Sequence, residues 1–342
     1  MKSLFGKSLK RNYYNYCPSL LIEDDKLFVW YCTNKISGNI TDYIGFRTAI
    51  KDNGLWKFSK ERLVLEPSKD KWDARHTCDP SVIKGVFSFN KITYNYLMAY
   101  LGCVTDDCKD NEVGLAFSET IKGPWHKLAN PIANYLTSPD CLKPHTFWGY
   151  GQPSLLSFDK RGKVLLFYTV GLEKSYTKLE LWDFSDLANP LKLRETILSN
   201  EGYLNSLGKQ DSLVNADFAY DFKNKILYAV SDTKIRGEEP SYISNEVPVL
   251  RADLKNSLES LFEGNFSWKV IYSINQSVST FPKNHNPGLV SDSYGYLRDS
   301  DNLDVAYTVS DLNKMHLRRK GIWSSLATYR VYLKGVILNE KN

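Results

Sequence analysis

The sequence predicts an all-β fold, a five-bladed β-propeller with about four antiparallel strands per blade, on three observations. One hairpin phrase recurs five times, the runs around its turns are rich in aromatic and β-branched residues, and amphipathic helix patterns are almost absent. The phrase is a short apolar run, a polar turn and a second apolar run. It reads first as Cys17-Pro-Ser-Leu-Leu-Ile, a Glu23-Asp-Asp-Lys26 turn and Leu27-Phe-Val-Trp-Tyr31. The second copy is Asp79-Pro-Ser-Val-Ile with Tyr96-Leu-Met-Ala-Tyr100, and the third is Gln152-Pro-Ser-Leu-Leu with Val164-Leu-Leu-Phe-Tyr168. The fourth reads Asp217-Phe-Ala-Tyr with Ile226-Leu-Tyr-Ala229, and the fifth Asn286-Pro-Gly-Leu-Val with Leu303-Asp-Val-Ala-Tyr307. Anchored at positions 18, 80, 153, 218 and 287, the copies are separated by 62, 73, 65 and 69 residues.

Each period continues in kind. The first adds Tyr43-Ile-Gly-Phe and Gly54-Leu-Trp56; the second adds Asn111-Glu-Val-Gly-Leu-Ala-Phe and Gly123-Pro-Trp125; the fourth adds Asn245-Glu-Val-Pro-Val and Phe266-Ser-Trp268. Four antiparallel strands cannot bury both faces of their sheet alone, so such units must stack. Closing the stack into a ring gives a propeller. Trp56, Trp125 and Trp268 recur at one place in the unit, as inter-blade packing residues would. Residues 1–16 and 323–338 are expected to supply the strands that close the ring. No Gly/Ser-rich or Pro-rich linker divides the chain, so residues 1–342 read as one domain.

Composition excludes several classes. The net charge is +5, and the densest basic run, residues 316–320, is too short for a nucleic-acid face. No apolar stretch reaches the roughly 18 residues of a membrane helix. Residues 1–16 lack the apolar centre of a signal peptide, so the protein is expected in the cytoplasm if Met1 is native, and otherwise as an exported chain with its leader removed. Neither a Gly-rich phosphate loop nor a Gly-x-Ser-x-Gly elbow occurs. The six cysteines are Cys17, Cys32, Cys78, Cys103, Cys108 and Cys141. The Cys103-x4-Cys108 spacing has no second pair beside it, so a structural zinc site is not expected and buried free thiols are the simpler reading.

In a propeller the first strand of every blade starts near the mouth of the central channel. The residues preceding those strands, Cys17, Asp79, Gln152, Asp217 and His285-Asn286, should therefore meet at one place. Two carboxylates, an amide and an imidazole meeting in a cleft is a functional-site pattern.

Asp79-Pro-Ser-Val-Ile, the Tyr-Leu-Met-Ala-Tyr run and the Glu-Val-Gly-Leu-Ala-Phe-Ser…Gly-Pro-Trp phrase together resemble the five-bladed propeller glycosidases of families 43 and 117. The resemblance implies a glycoside hydrolase acting on a furanoside-type or related linkage of an oligo- or polysaccharide by inversion. That chemistry needs one carboxylate to activate water and a second group to protonate the departing oxygen. Asp79 is then the base and Asp217 the second carboxylate. The acid is Glu112 or Glu246 in their matching Asn-Glu-Val phrases, Glu173 after the third hairpin, or His285, since family 117 implies a histidine. Gln152, Asn286, His145 and His76 are expected to contact substrate, with Trp148 and Tyr150 as platforms for a sugar ring. Arg47, Arg75 and Arg251 could bind an acidic group. No cofactor is required; a channel cation such as Ca²⁺ would come only with the family 43 resemblance, because no ligand spacing supports it. The first blade departs from the family pattern, which places its base where this chain has Cys17. Two alternatives share the scaffold: a non-catalytic carbohydrate-binding propeller and a phosphate-dependent glycoside phosphorylase.

Overall fold

The computed structural model describes residues 3–5, 13–36, 39–233, 243–255, 257–310 and 329–338. Among them every long element is a strand, and the two helices, Ser260–Glu263 and Gln276–Ser279, have four residues each. Three separate four-stranded antiparallel sheets follow the sequence. One holds β6 (His76–Phe89), β7 (Ile92–Cys103), β8 (Glu112–Ser118) and β9 (His126–Lys127). The next holds β10 (Gly149–Ser157), β11 (Lys163–Gly171), β12 (Tyr176–Asp183) and β13 (Leu191–Ile197), and the third β14 (Val214–Asp221), β15 (Ile226–Asp232), β16 (Val247–Asp253) and β17 (Trp268–Ile274). The two ends of the chain share an eight-stranded sheet. In it β1 (Asn15–Glu23) to β5 (Arg62–Leu65) meet β18 (Lys283–Asp292), β19 (Asn302–Ser310) and β20 (Arg330–Ile337) through a parallel contact of β1 with β18 at Leu20–Val290.

Burial falls from the first strand of each unit to the last. Gly149–Ser157 is buried at every position, whereas Leu191–Ile197 is exposed at nearly every one. Apolar side chains from consecutive units interdigitate face to face. Leu21, Trp30 and Phe46 pack with Val82 and Met98; Leu97 and Leu115 with Leu155 and Leu166; Leu165 and Phe167 with Phe218 and Leu250. Tyr228 and Val249 continue against Leu289 and Val305, and Leu20 and Val29 close against Val290 and Ala306. Trp56, Trp125 and Trp268 sit in these interfaces, as the sequence led us to expect. The expected closing strands are met in part. Ser3 bridges Tyr332, and Leu4 donates its N–H to the Val331 carbonyl at 2.8 Å. Residues 6–12, 316–320 and 323–328 lie outside the described residues.

One irregularity recurs in all five first strands. Their pairing with the second strand slips between Tyr16 and Ser19, Cys78 and Ser81, Gly151 and Ser154, Val214 and Asp217, and His285 and Gly288. The first residue inside each slip has positive φ: Cys17 at 49°, Asp79 at 48°, Gln152 at 44°, Asn215 at 48° and Asn286 at 43°. Such a bulge re-aims a side chain out of the ladder, and the left-handed backbone it needs is costly for any residue but glycine. The fourth member is Asn215, not Asp217. The fourth anchor stands two residues earlier than the hairpin phrase suggests, because Asn215-Ala-Asp lacks the proline that marks the other copies.

Candidate functional site

The bulges are held by neighbouring units in a repeated way. The Cys17 N–H is donated to Thr308 Oγ1 (3.2 Å), that of Asp79 to Cys32 Sγ (2.9 Å), that of Asn215 to Thr169 Oγ1 (2.7 Å) and that of Asn286 to Asp232 Oδ1 (2.9 Å). Each acceptor belongs to the second strand of the preceding unit. The third unit has no such acceptor, and the Gln152 N–H is donated to the Asp79 carboxylate itself at 3.2 Å. The strain at each bulge is therefore fixed by a bond from outside its own hairpin.

Above these residues opens a cavity of about 170 Å³. Its carboxylates are Asp42, Asp79, Asp106 and Asp232; its imidazoles are His76 and His285; Asn215, Asn286, Tyr16, Tyr329, Cys108 and Trp148 complete the polar and aromatic wall. Among the described residues that line it there is no lysine or arginine.

Asp79 is 4% exposed, and burial pushes its carboxyl up to about 6, a hydrogen bond with the Cys17 thiol opposing the rise and the charge of Asp42 adding to it. It rests on the Cys32–Cys78 disulfide, which ties β2 (Lys26–Asn34) to β6 directly beneath the cavity. The pair corrects the free-thiol reading for these two cysteines; Cys17, Cys103, Cys108 and Cys141 are free. The sequence separation of 46 residues corresponds to roughly 4 kcal/mol of loop-closure entropy. Replacing both Cys32 and Cys78 by Ala is expected to lower stability by an amount of that order, read from denaturant midpoints. An unchanged midpoint would show that the bridge does not form in solution.

Asp42 opens β3 (Asp42–Asp52) and is 3% exposed. It accepts 2.7 Å hydrogen bonds from Tyr14 Oη and from His76 Nδ1. Burial works against a charged His76, but its bond to Asp42 and that carboxylate's charge outweigh it, and the net shift is upward. His285 is the opposite case. Burial pulls its imidazole down to about 3, so it is neutral over the working pH range. Its Nδ1 lies 2.5 Å from Asn286 Oδ1, and its Nε2 is buried without a partner. A neutral ring that donates through Nδ1 can accept a ligand hydroxyl at Nε2 but is a poor proton donor. Asp232, at the end of β15, accepts from the Asn215 amide (3.1 Å) and the Asn286 N–H. Trp148 reaches the wall because Gly151 and Gly171 leave space: a Cβ on either would approach its indole to 2.5 or 2.6 Å.

Of the residues expected from the sequence, Asp79, His76, His285, Asn286 and Trp148 line the cavity, and Gln152 lies just beneath it, accepting from Asn286 Nδ2 at 2.9 Å. The others are placed elsewhere. Asp217 occupies the serine position of the repeat: Ser81 accepts the Leu155 N–H, Ser154 the Phe218 N–H and Asp217 the Leu289 N–H (2.7 Å), so it ties units together. Glu112 lines a separate recess with Trp72, Asn130 and Leu136, where burial pushes its carboxyl up to about 7. Glu246 accepts from Ser273 Oγ at 3.1 Å and does not reach the cavity. The Asn-Glu-Val phrases recur because their asparagines stitch adjacent units, Asn111 to the Trp148 carbonyl (2.7 Å) and Asn245 to Lys283 (2.7 Å). Glu173 is exposed. Tyr150 is 2% exposed in the core, bonded to Asp140 and edge-on to Tyr135, so it cannot be a platform. The His145 side chain is 71% exposed on the outer surface, paired with Asp110. Arg47 binds Tyr31, Arg251 binds Asp253, and Arg75 binds Asp106 at the rim without lining the cavity.

No family model matches the sequence, and no curated protein does. Solved structures do match. A family 117 glycoside hydrolase from the marine bacterium Zobellia galactanivorans is 11% identical, with a TM-score of 0.56 over 98% of this chain and 88% of that one. A GH43_1 enzyme from Xanthomonas citri complexed with xylose is 11% identical, with a TM-score of 0.59 over 97% and 89%. An endo-arabinase from Bacteroides thetaiotaomicron is 12% identical, with a TM-score of 0.52 over 99% and 98%. This chain has the fold of these glycoside hydrolases. The expected architecture is met at that level, and at such identities the match speaks for the fold alone.

Proposed function

We propose that this chain is a five-bladed propeller glycoside hydrolase that cleaves a furanoside-type or related linkage of an oligo- or polysaccharide by inversion. Five equivalent bulges support the blade count, together with four apolar interfaces between separate sheets and a fifth contact inside the eight-stranded sheet, read as two blades joined by β1 and β18. One observation carries the chemistry: a strained, buried carboxyl titrating near 6 stands in a cavity shared by three further aspartates. A base is most effective when its pKa lies near the operating pH, and Asp79 meets that condition.

Asp79 activates the water, and the second carboxyl group is placed at Asp232. These two come from the second and fourth units and line one cavity, and inversion needs about 6.5–9.5 Å between such groups to admit the water. His285 Nε2 and the amides of Asn215 and Asn286 hold sugar hydroxyls, and Trp148 offers a flat apolar face. The described wall carries four aspartates and no lysine or arginine, and the guanidinium of Arg75 at the rim is already paired with Asp106, which favours hydrolysis over phosphorolysis. The same argument favours neutral sugars over uronic acids.

The test is turnover of aryl arabinofuranosides, xylosides and galactosides with and without phosphate. Expected is phosphate-independent hydrolysis of a neutral glycoside, with kcat/KM rising as pH increases through about 6. Below that point protonated Asp79 cannot accept the water's proton. Strict phosphate dependence, or activity falling as pH rises through 6, would refute this assignment. Asp232→Asn should lose most on poor leaving groups and much less on activated aryl substrates, which depart without a proton.

A further inference from the structure

We propose that His76, Cys103 and Cys108 form a zinc-binding site in the wall of this cavity. The sequence conceals it because the third ligand stands 27 residues upstream of Cys103, on another strand. His76 and Cys103 are paired across β6 and β7. The loop after β7 then folds back on itself: Thr105 Oγ1 is bonded to both the carbonyl and the N–H of Lys109 (3.0 and 2.9 Å), and Asn111 Nδ2 donates to the Cys108 carbonyl at 2.8 Å. One ligand atom from each of the three residues then lies within 4.8 Å of the other two.

Two independent features point to a metal. His76 is 1% exposed, and its Nε2 is a buried nitrogen with no hydrogen-bond partner among the described residues. Its other nitrogen faces Asp42 Oδ2 at 2.7 Å. A carboxylate behind the far nitrogen is the arrangement that orients a metal-binding histidine and leaves Nε2 for the ion. Two thiolates and an imidazole select a soft or borderline divalent ion, zinc before calcium or magnesium. Three protein ligands leave a fourth position for an outside ligand, and His76 and Cys108 both line the cavity. Zinc there would accept water or a sugar hydroxyl. The site stands whether or not the chain hydrolyses glycosides.

The experiment uses the full chain, purified in reductant, stripped with a chelator and titrated with Co²⁺ and then Zn²⁺. Expected is one cobalt per chain, with thiolate-to-cobalt charge-transfer absorption and the visible bands of a tetrahedral ion, displaced by zinc. Cys103→Ser and Cys108→Ser should abolish the signal. Asp42→Asn should weaken binding by about 10- to 100-fold. Cys17→Ala is the control, because Cys17, Cys32 and Asp79 are the other trio close enough to share an ion, and it should leave uptake unchanged. Peptide mapping that finds Cys103 joined to Cys108 in a second batch, purified without reductant and alkylated at once, would overturn the proposal. So would wild-type protein that takes up no cobalt, or uptake that survives both serine substitutions and is lost with Cys17. If the serine variants fail to fold, Cys17→Ala and Asp42→Asn decide the matter: uptake lost with Cys17 and untouched by Asp42→Asn would place the ion at the other trio and overturn the proposal.

Discussion

Replacing Asp79 by Asn should lower kcat/KM by roughly 10²–10⁴-fold, the usual contribution of a positioned base, on good and poor leaving groups alike. Asparagine is the right probe for a structural reason. The equivalent bulge positions in the fourth and fifth units are already asparagines, at φ of 48° and 43°, so the backbone of residue 79 accepts one without new strain. The effect on stability should run the other way. Burial raises the folded-state pKa of Asp79 from 3.8 to about 6. A group whose pKa is raised on folding favours the folded state at low pH, and that contribution is lost as pH climbs from about 4 to 6. At neutral pH the buried charge therefore costs up to about 3 kcal/mol, which the amide removes. The variant should melt no lower than the parent at pH 7, and any advantage should disappear near pH 4. Activity that survives the substitution would remove Asp79 from the mechanism. A collapse in melting temperature would mean that its carboxylate is structural.

How far the sequence exposed this site can be read from particular residues. The repeat led to Asp79, Asn286 and His285 because all three belong to first strands that carry the Pro-Ser or Pro-Gly mark. Asp42, Asp106 and Asp232 line the same cavity yet lie at the start of β3, in the loop after β7 and at the end of β15. A hairpin pattern has no mark for those positions, since a strand end tolerates almost any polar residue. Cys108 was hidden in the same way, whereas Tyr16 stands one residue before the Cys17 anchor, where His285 stands before Asn286. Other phrases misled in the opposite direction: Tyr150 packs in the core, and in the two Asn-Glu-Val phrases the asparagines stitch adjacent units while Glu112 and Glu246 stay away from the cavity. The zinc ligands required knowledge of which strands pair, and that is tertiary information.

The fourth unit's register fixes the role of Asp217. Six residues separate Cys17 from Glu23, the end of β1, and six separate Asn215 from Asp221, the end of β14, whereas Asp217 is only four from that end. The fifth unit shares this spacing, from Asn286 to Asp292, so Asn215 fits as the fourth anchor without a proline to mark it. In the corrected register Asp217 performs the task of Ser81 and Ser154, with its Oδ2 on the Leu289 N–H at 2.7 Å and its Oδ1 accepting from Ser154 at 2.6 Å. Asp217→Ala strands a buried N–H between the fourth and fifth units and should destabilise the protein by about 1–3 kcal/mol. Asp217→Ser supplies the acceptor the other units use and should recover part of that loss. Well below their melting temperatures, both variants should keep kcat/KM within a small factor of wild type. A serine variant that melts normally but loses activity as severely as Asp79→Asn would return Asp217 to the chemistry and break the equivalence of the five bulges on which the site is built.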